Sequence, residues 1–163
     1  MTLPTTDQHS ARRSSPAEEP LGAGLRYDYA DAVEVDLREG DNRTAERVVR
    51  TGLEQGPAVL GRVFLFVHRH VLRFRLGPPL SPKHVVGWQI VTNEPDVLHL
   101  RAEGSLLNGV MVARRTDENV ARLTTFVTYQ RPLARIVWAI VGPVHRKAAP
   151  YLMERAAEPS DGR

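Results

Sequence analysis

The chain has 163 residues, of which 42% are hydrophobic, with no cysteine and a formal net charge of +3. That length suits one domain with a real core, while the missing cysteines exclude disulfides, thiolate metal sites and cysteine nucleophiles. No apolar run reaches the about 18 residues of a membrane span, and the first residues lack a secretory apolar core, so a cytoplasmic protein without stable membrane insertion is expected.

Residues 1–24, MTLPTTDQHSARRSSPAEEPLGAG, are rich in Ser, Thr, Pro, Gly and charge. They offer little to bury and read as a disordered tail. Residues 158–163, EPSDGR, read the same way, which leaves a single domain over residues 25–157. The two ends carry −1 each, so that domain holds +5. Its cations are scattered rather than clustered among aromatics, and no nucleic-acid partner is expected.

In residues 27–37, YDYADAVEVDL, the alternation of Tyr29, Val33, Val35 and Leu37 with charged positions predicts a half-buried strand. REGDN breaks it. Asp41 or Asn42 can cap a helix through TAERVVRTGLEQ, and Gly56-Pro57 is a stop signal. Pro57 then opens a second predicted helix over residues 57–76, PAVLGRVFLFVHRHVLRFRL. Leu60, Val63, Phe64, Val67, Val71 and Phe74 make its apolar stripe, opposite Arg62, Arg69 and Arg73. Leu65, Phe66 and Leu72 widen that stripe past half the girth. Such a helix is gripped on two sides, forms a lid, or meets a membrane surface or a partner, and its girth leaves a homodimer open.

After the proline-rich loop GPPLSP come four predicted strands in two hairpins. VVGWQIVTN and VLHLRAEG flank EPD, and LLNGVMVARRT and VARLTTFVTYQ flank DEN. RPLARIVWAIVGPVHRKAAPYLMERAA completes the chain as a long amphipathic helix. Pro143 and Pro150 interrupt its hydrogen bonding, at about 3 kcal/mol or more each in an isolated helix interior. Gly142-Pro143 either bends one helix or divides two. The order implies an α+β fold in which this last helix covers the apolar face of an antiparallel meander.

Three features, VLHLRAEG, RLTTFVTYQ and the run from GPVHR into YLMERA, resemble the START/Bet v 1-like (SRPBCC, helix-grip) superfamily, and more narrowly a short actinobacterial branch of it. The resemblance spans residues 27–157. It implies a curved antiparallel sheet wrapped around the C-terminal helix, with two helices after the first strand and an apolar pocket between sheet and helix. About six strands are implied between the paired helices and the last one, where the sequence shows four. Members bind lipids, sterols, polyketides or hormones, and some are cyclases, aromatases or dehydratases. The function implied is capture of a hydrophobic or amphiphilic small molecule. A cofactor-independent cyclase or dehydratase acting in the same cavity is the alternative, and a non-catalytic interaction or membrane-surface protein is a third.

Chemistry-bearing residues are few. His68 and His70 lie two apart on a predicted helix, about 200° around it, and cannot share a metal. No other histidine has ligand spacing, so neither a metal nor a cofactor is expected. His99 and Glu103 share a strand face with Arg101 and are acid–base candidates if that face looks inward. Otherwise they are a solvated charge set. His145 follows the Gly142-Pro143 joint, matches a His-Arg pair of the resembling branch, and is the stronger candidate for a general base. Trp88, Thr124, Phe126, Thr128, Tyr129, Trp138 and Ile140 are candidate pocket lining, with threonine hydroxyls beside an aromatic ring suiting an amphiphile.

Overall fold

Eight strands join one curved antiparallel sheet in the computed structural model, which describes residues 10–158. In chain order the elements are β1 (Arg12–Ser14), β2 (Tyr29–Asp36), α1 (Ala45–Glu54), α2 (Ala58–Phe66), β3 (Leu80–Ser81), β4 (His84–Val85), β5 (Trp88–Glu94), β6 (Val97–Ala102), β7 (Leu107–Asp117), β8 (Val120–Tyr129) and α3 (Pro132–Ala157). The strand order is β1-β2-β8-β7-β6-β5-β4-β3, so β2 closes against the last strand. Register shifts near Val91 and Thr116 insert an extra residue on one strand, a device that increases local twist.

The predicted meander is present and longer than expected. The prolines of residues 77–82 do not preclude pairing, because β3 within that loop makes a two-rung hairpin with β4 just beyond it. That gives six strands between the paired helices and α3. Helix α1 begins three residues later than Asp41 suggested: Thr44 is its cap, with its hydroxyl accepting from the Arg47 N–H. Asp41 instead grips Arg43 through side chain and backbone.

The second helix is shorter than its sequence pattern. It is regular over α2 and passes into a π turn at Val67–Val71, where the Leu72 N–H reaches the Val67 carbonyl. Arg73 then adopts a left-handed backbone, φ 58°, and the chain leaves in extended form, with Phe74 bridging Gly104. Leu72 and Phe74 are thereby buried in the core rather than carried on a helix stripe.

Residues 10–24 correct the tail reading. β1 pairs with β2 over Arg12 to Ser14, and short 3-10 turns follow at Pro16–Glu18 and Pro20–Gly22. Glu19 is fully buried and receives two hydrogen bonds from the Arg114 guanidinium. Arg122 binds both Glu18 and Glu34. Burial alone would raise the Glu19 carboxyl, but the Arg114 fork and the Leu21 N–H hold it below the usual range. Composition missed this because the order comes from charges paired with distant strands, not from apolar content. The rest of both end segments, residues 1–9 and 159–163, lies outside the described residues.

This strap lies over the outer face of the sheet. Val97, Val112 and Phe126 form a small cluster there with Ala30 and Val110, and Tyr27 packs on the Phe126 ring. The inner face carries the main core, including Val35, Leu98, Leu100 and Leu123. Helix α3 covers that face over β2 and β8 and packs along α1. It runs unbroken through Pro143 and Pro150, which rules out division at Gly142-Pro143. The carbonyls of Ala139 and Arg146 lose their intrahelical partners to these prolines. Gly142 serves packing: a Cβ there would sit 3.2 Å from the Trp138 indole nitrogen. Gly52 does the same between helices, since its Cβ would meet the Leu152 carbonyl at 2.6 Å.

Candidate functional site

A cavity of about 300 Å³ lies between the inner face of the sheet, α1, α2 and α3. The sheet contributes Trp88, Met111, Leu123, Thr125 and Val127; α2 contributes Leu60, Val63 and Phe64; α3 contributes Trp138, Val141 and His145. Most of the wall is apolar because each element offers it the side already turned to the core. Its few polar groups therefore stand out.

His68 is the first. The π turn holds it at the wall, its ring stacked on Phe64 at a centroid distance of 3.7 Å and edge-on to Trp88. Its Nδ1 lies 2.7 Å from the Phe64 carbonyl, so Nδ1–H donates and the neutral ring keeps its lone pair on Nε2. Burial lowers its pKa to about 4, the Phe64 bond opposes that, and charge on His145 reinforces it. His68 is neutral at pH 7.

His145 is the second. Its Nε2 lies 3.1 Å from Asp31 Oδ2 on β2, and Asp31 also accepts the Tyr29 hydroxyl. Burial would raise the Asp31 carboxyl, but the His145 bond and charge, and then the Tyr29 bond, hold it below the usual carboxylate range. Tyr29 is pushed up to about 12, by burial first and then by Asp31. The hydroxyl therefore stays protonated and donating. With Nε2 committed to Asp31, His145 Nδ1 is the ring nitrogen outside the pair. Tyr29 and Trp138 pack around this group at ring distances of 5.0 to 6.3 Å.

Four wall residues carry a buried polar atom without a partner: Trp88 Nε1, Trp138 Nε1, Thr125 Oγ1 and Arg155 Nε. A buried unsatisfied group costs about 1–3 kcal/mol, so four together are conspicuous.

Of the residues singled out from sequence, Trp88, Trp138 and His145 border the cavity. The others do not. Ile140 points outward, 70% exposed, because the buried side of α3 runs through Ala134, Trp138 and Gly142. Thr124, Phe126 and Thr128 face outward under the N-terminal strap, and the Thr128 hydroxyl donates to the Arg26 carbonyl. Their odd-numbered neighbours Leu123, Thr125 and Val127 face the cavity instead. Tyr129 packs against the inner core without bordering the cavity. His99 lies on the outer face with Val97. Glu103 is exposed and pairs with Arg101 and Arg75. Neither belongs to an internal acid–base set.

Sequence reasoning missed Asp31, His68 and Thr125. Asp31 had a signal. Tyr29, Asp31, Val33, Val35 and Leu37 share one strand face, so it is a lone carboxylate in a row of core positions. Among the described residues no group of three His, Cys, Asp or Glu side chains could hold a metal.

No known protein family matches the chain, and no curated protein does. Among solved structures it is similar to the solution NMR structure of a protein from Arthrobacter aurescens determined by the Northeast Structural Genomics Consortium. The identity is 15%, 83% of this chain and 93% of that one are covered, and the TM-score is 0.42.

Proposed function

We propose that the protein captures an amphiphilic small molecule, of lipid-like or polyketide-like character, in the cavity between sheet and α3. The hollow itself carries this reading. Protein interiors hold few voids larger than a water molecule, yet this hollow of about 300 Å³ is walled almost wholly by apolar side chains. Water there finds few hydrogen-bond partners, so an apolar occupant suits the hollow better than solvent does. The strand, helix, helix, sheet, helix order is also what the helix-grip resemblance implies, and members of that superfamily bind such molecules.

The wall chemistry narrows the class. Indole nitrogens only donate, and a threonine hydroxyl does both. An occupant with oxygen acceptors beside fused rings or an acyl chain suits a wall whose unpaired polar groups are mostly donors. Native mass spectrometry of the purified protein tests this, with one bound organic molecule of low mass as the expected result. No adduct, together with no thermal stabilisation by any oxygenated ring or acyl probe, is the contrary result.

The Asp31–His145 pair supports a second reading, proton transfer to or from the captured molecule. A carboxylate that orients an imidazole at an apolar wall is the arrangement general acid–base catalysis uses. His145→Ala then retains binding and loses turnover, whereas equal turnover in the variant removes this reading.

A further inference from the structure

We propose that the face formed by α2 and α3 docks on the surface of an anionic lipid bilayer. Leu60 and Val63 of α2, with Val144 and Tyr151 of α3, border the cavity and are also exposed, so they form the rim of its mouth. Apolar exposure continues outward from that rim. On α3, Leu133, Ile136, Ile140 and Val144 recur at helical spacing on one side, opposite the buried Ala134, Trp138 and Gly142. On α2, Val59 and Phe66 extend the patch, and Phe66 is 60% exposed. Large side chains gathered in this way mark an interaction surface rather than ordinary scatter.

Charge identifies the partner. Arg62 sits three residues after Val59 and four before Phe66, in line with the α2 patch. Lys147 sits three after Val144 and four before Tyr151, in line with the α3 stripe, and Arg69 lies in the π turn that follows Phe66. All three are exposed, and none makes an ion pair among the described residues. Residues 57–76 contain no Asp or Glu, and α3 reaches its first acid only at Glu154, which accepts a hydrogen bond from the Ala11 N–H. An apolar stripe interleaved with unpaired cations and free of acids fits lipid tails edged by anionic headgroups. A second copy fits poorly, because a two-fold contact sets the same cations against one another. Docking is on one leaflet: among the described residues no helix is long and apolar enough to cross a membrane. It also sets the cavity mouth against the lipid, a direct route for an apolar occupant.

Flotation of the full chain with vesicles tests this, comparing phosphatidylcholine alone with an equimolar mixture of phosphatidylcholine and phosphatidylglycerol. The protein is expected to float with the anionic vesicles and not with the neutral ones. Binding should weaken as salt rises from about 0.1 M to about 1 M and the screening length falls from about 10 Å to about 3 Å. Phe66→Ser with Ile140→Ser, and separately Arg62→Glu with Lys147→Glu, should each reduce binding about tenfold or more. Neither Phe66 nor Ile140 borders the cavity, so occupancy of the cavity by a brominated naphthol is unchanged in the apolar pair. Loss of cavity binding and loss of docking are thus separable. Docking is overturned by absence from anionic vesicles, by binding that both variants leave intact, or by a stable dimer in sedimentation velocity that Ile140→Ser splits into monomers.

Discussion

His145 Nε2 lies 3.1 Å from Asp31 Oδ2, joining α3 to β2 across 114 residues of sequence. Asp31 is largely buried and its folded pKa lies below its ordinary 3.8, so the carboxylate is charged throughout the neutral range. Its contribution to stability is present above about pH 3.8 and is lost as pH falls through the lower folded value. Asp31→Asn should lower stability at pH 7 by about 1–3 kcal/mol and flatten the acid limb below pH 4. Urea unfolding of the two proteins at several pH values checks both.

His68 titrates in the opposite sense. The unfolded imidazole takes a proton near 6.5 and the folded one only near 4. Between those values the unfolded chain binds more protons, so stability falls as pH drops from about 6.5 to about 4, by up to about 3 kcal/mol. In His68→Phe that part of the slope disappears. Thermal unfolding at intervals across the window measures it, and an unchanged slope would show that the ring is not sealed from water at the wall.

Glu19 anchors the N-terminal strap through Arg114. Glu19→Gln keeps the shape and removes the charge. Because Arg114 retains some solvent contact, the cost should be moderate, about 1–3 kcal/mol. Hydrogen exchange should then show faster exchange at residues 10–24, and at the outer-face strands beneath them before the inner core.

Thr125 is a buried hydroxyl without a partner. Thr125→Val keeps the shape and removes the unpaired group, so the empty protein should be unchanged or more stable by about 1–2 kcal/mol. Affinity for an oxygenated amphiphile should fall about threefold to tenfold over the same substitution. Opposite signs in stability and binding are the signature of a group kept for an occupant.

Alternation made the sheet legible. In β6 the run Val97 to Ala102 alternates clearly enough to assign Leu98, Leu100 and Ala102 inward. In β8 that signal vanishes, because residues 121–127 are buried on both faces. The outer burial comes from the strap, whose order depends on Arg114 finding Glu19 across 95 residues and Arg122 finding Glu18 across 104. Reading residues 10–24 as a tail therefore also hid which of Thr124 and Thr125 faces the cavity. The π turn had a similar effect on α2: spacing rules based on 3.6 residues per turn fail after Phe66, so His68 could not be placed at the wall. Asp31 was visible in principle as a charge on a core row. His145 was found because α3 is long, regular and buried along one side.

The chain's two tryptophans, Trp88 and Trp138, both border the cavity. Tryptophan emission therefore comes from two residues at the wall of the hollow. Titration with a brominated naphthol, whose bromine quenches indole on contact, is the most direct measurement. Capture in the cavity predicts quenching that saturates at one equivalent and is abolished when Ala148→Phe fills the space. Weak quenching that never saturates, or saturation that Ala148→Phe leaves intact, would contradict it.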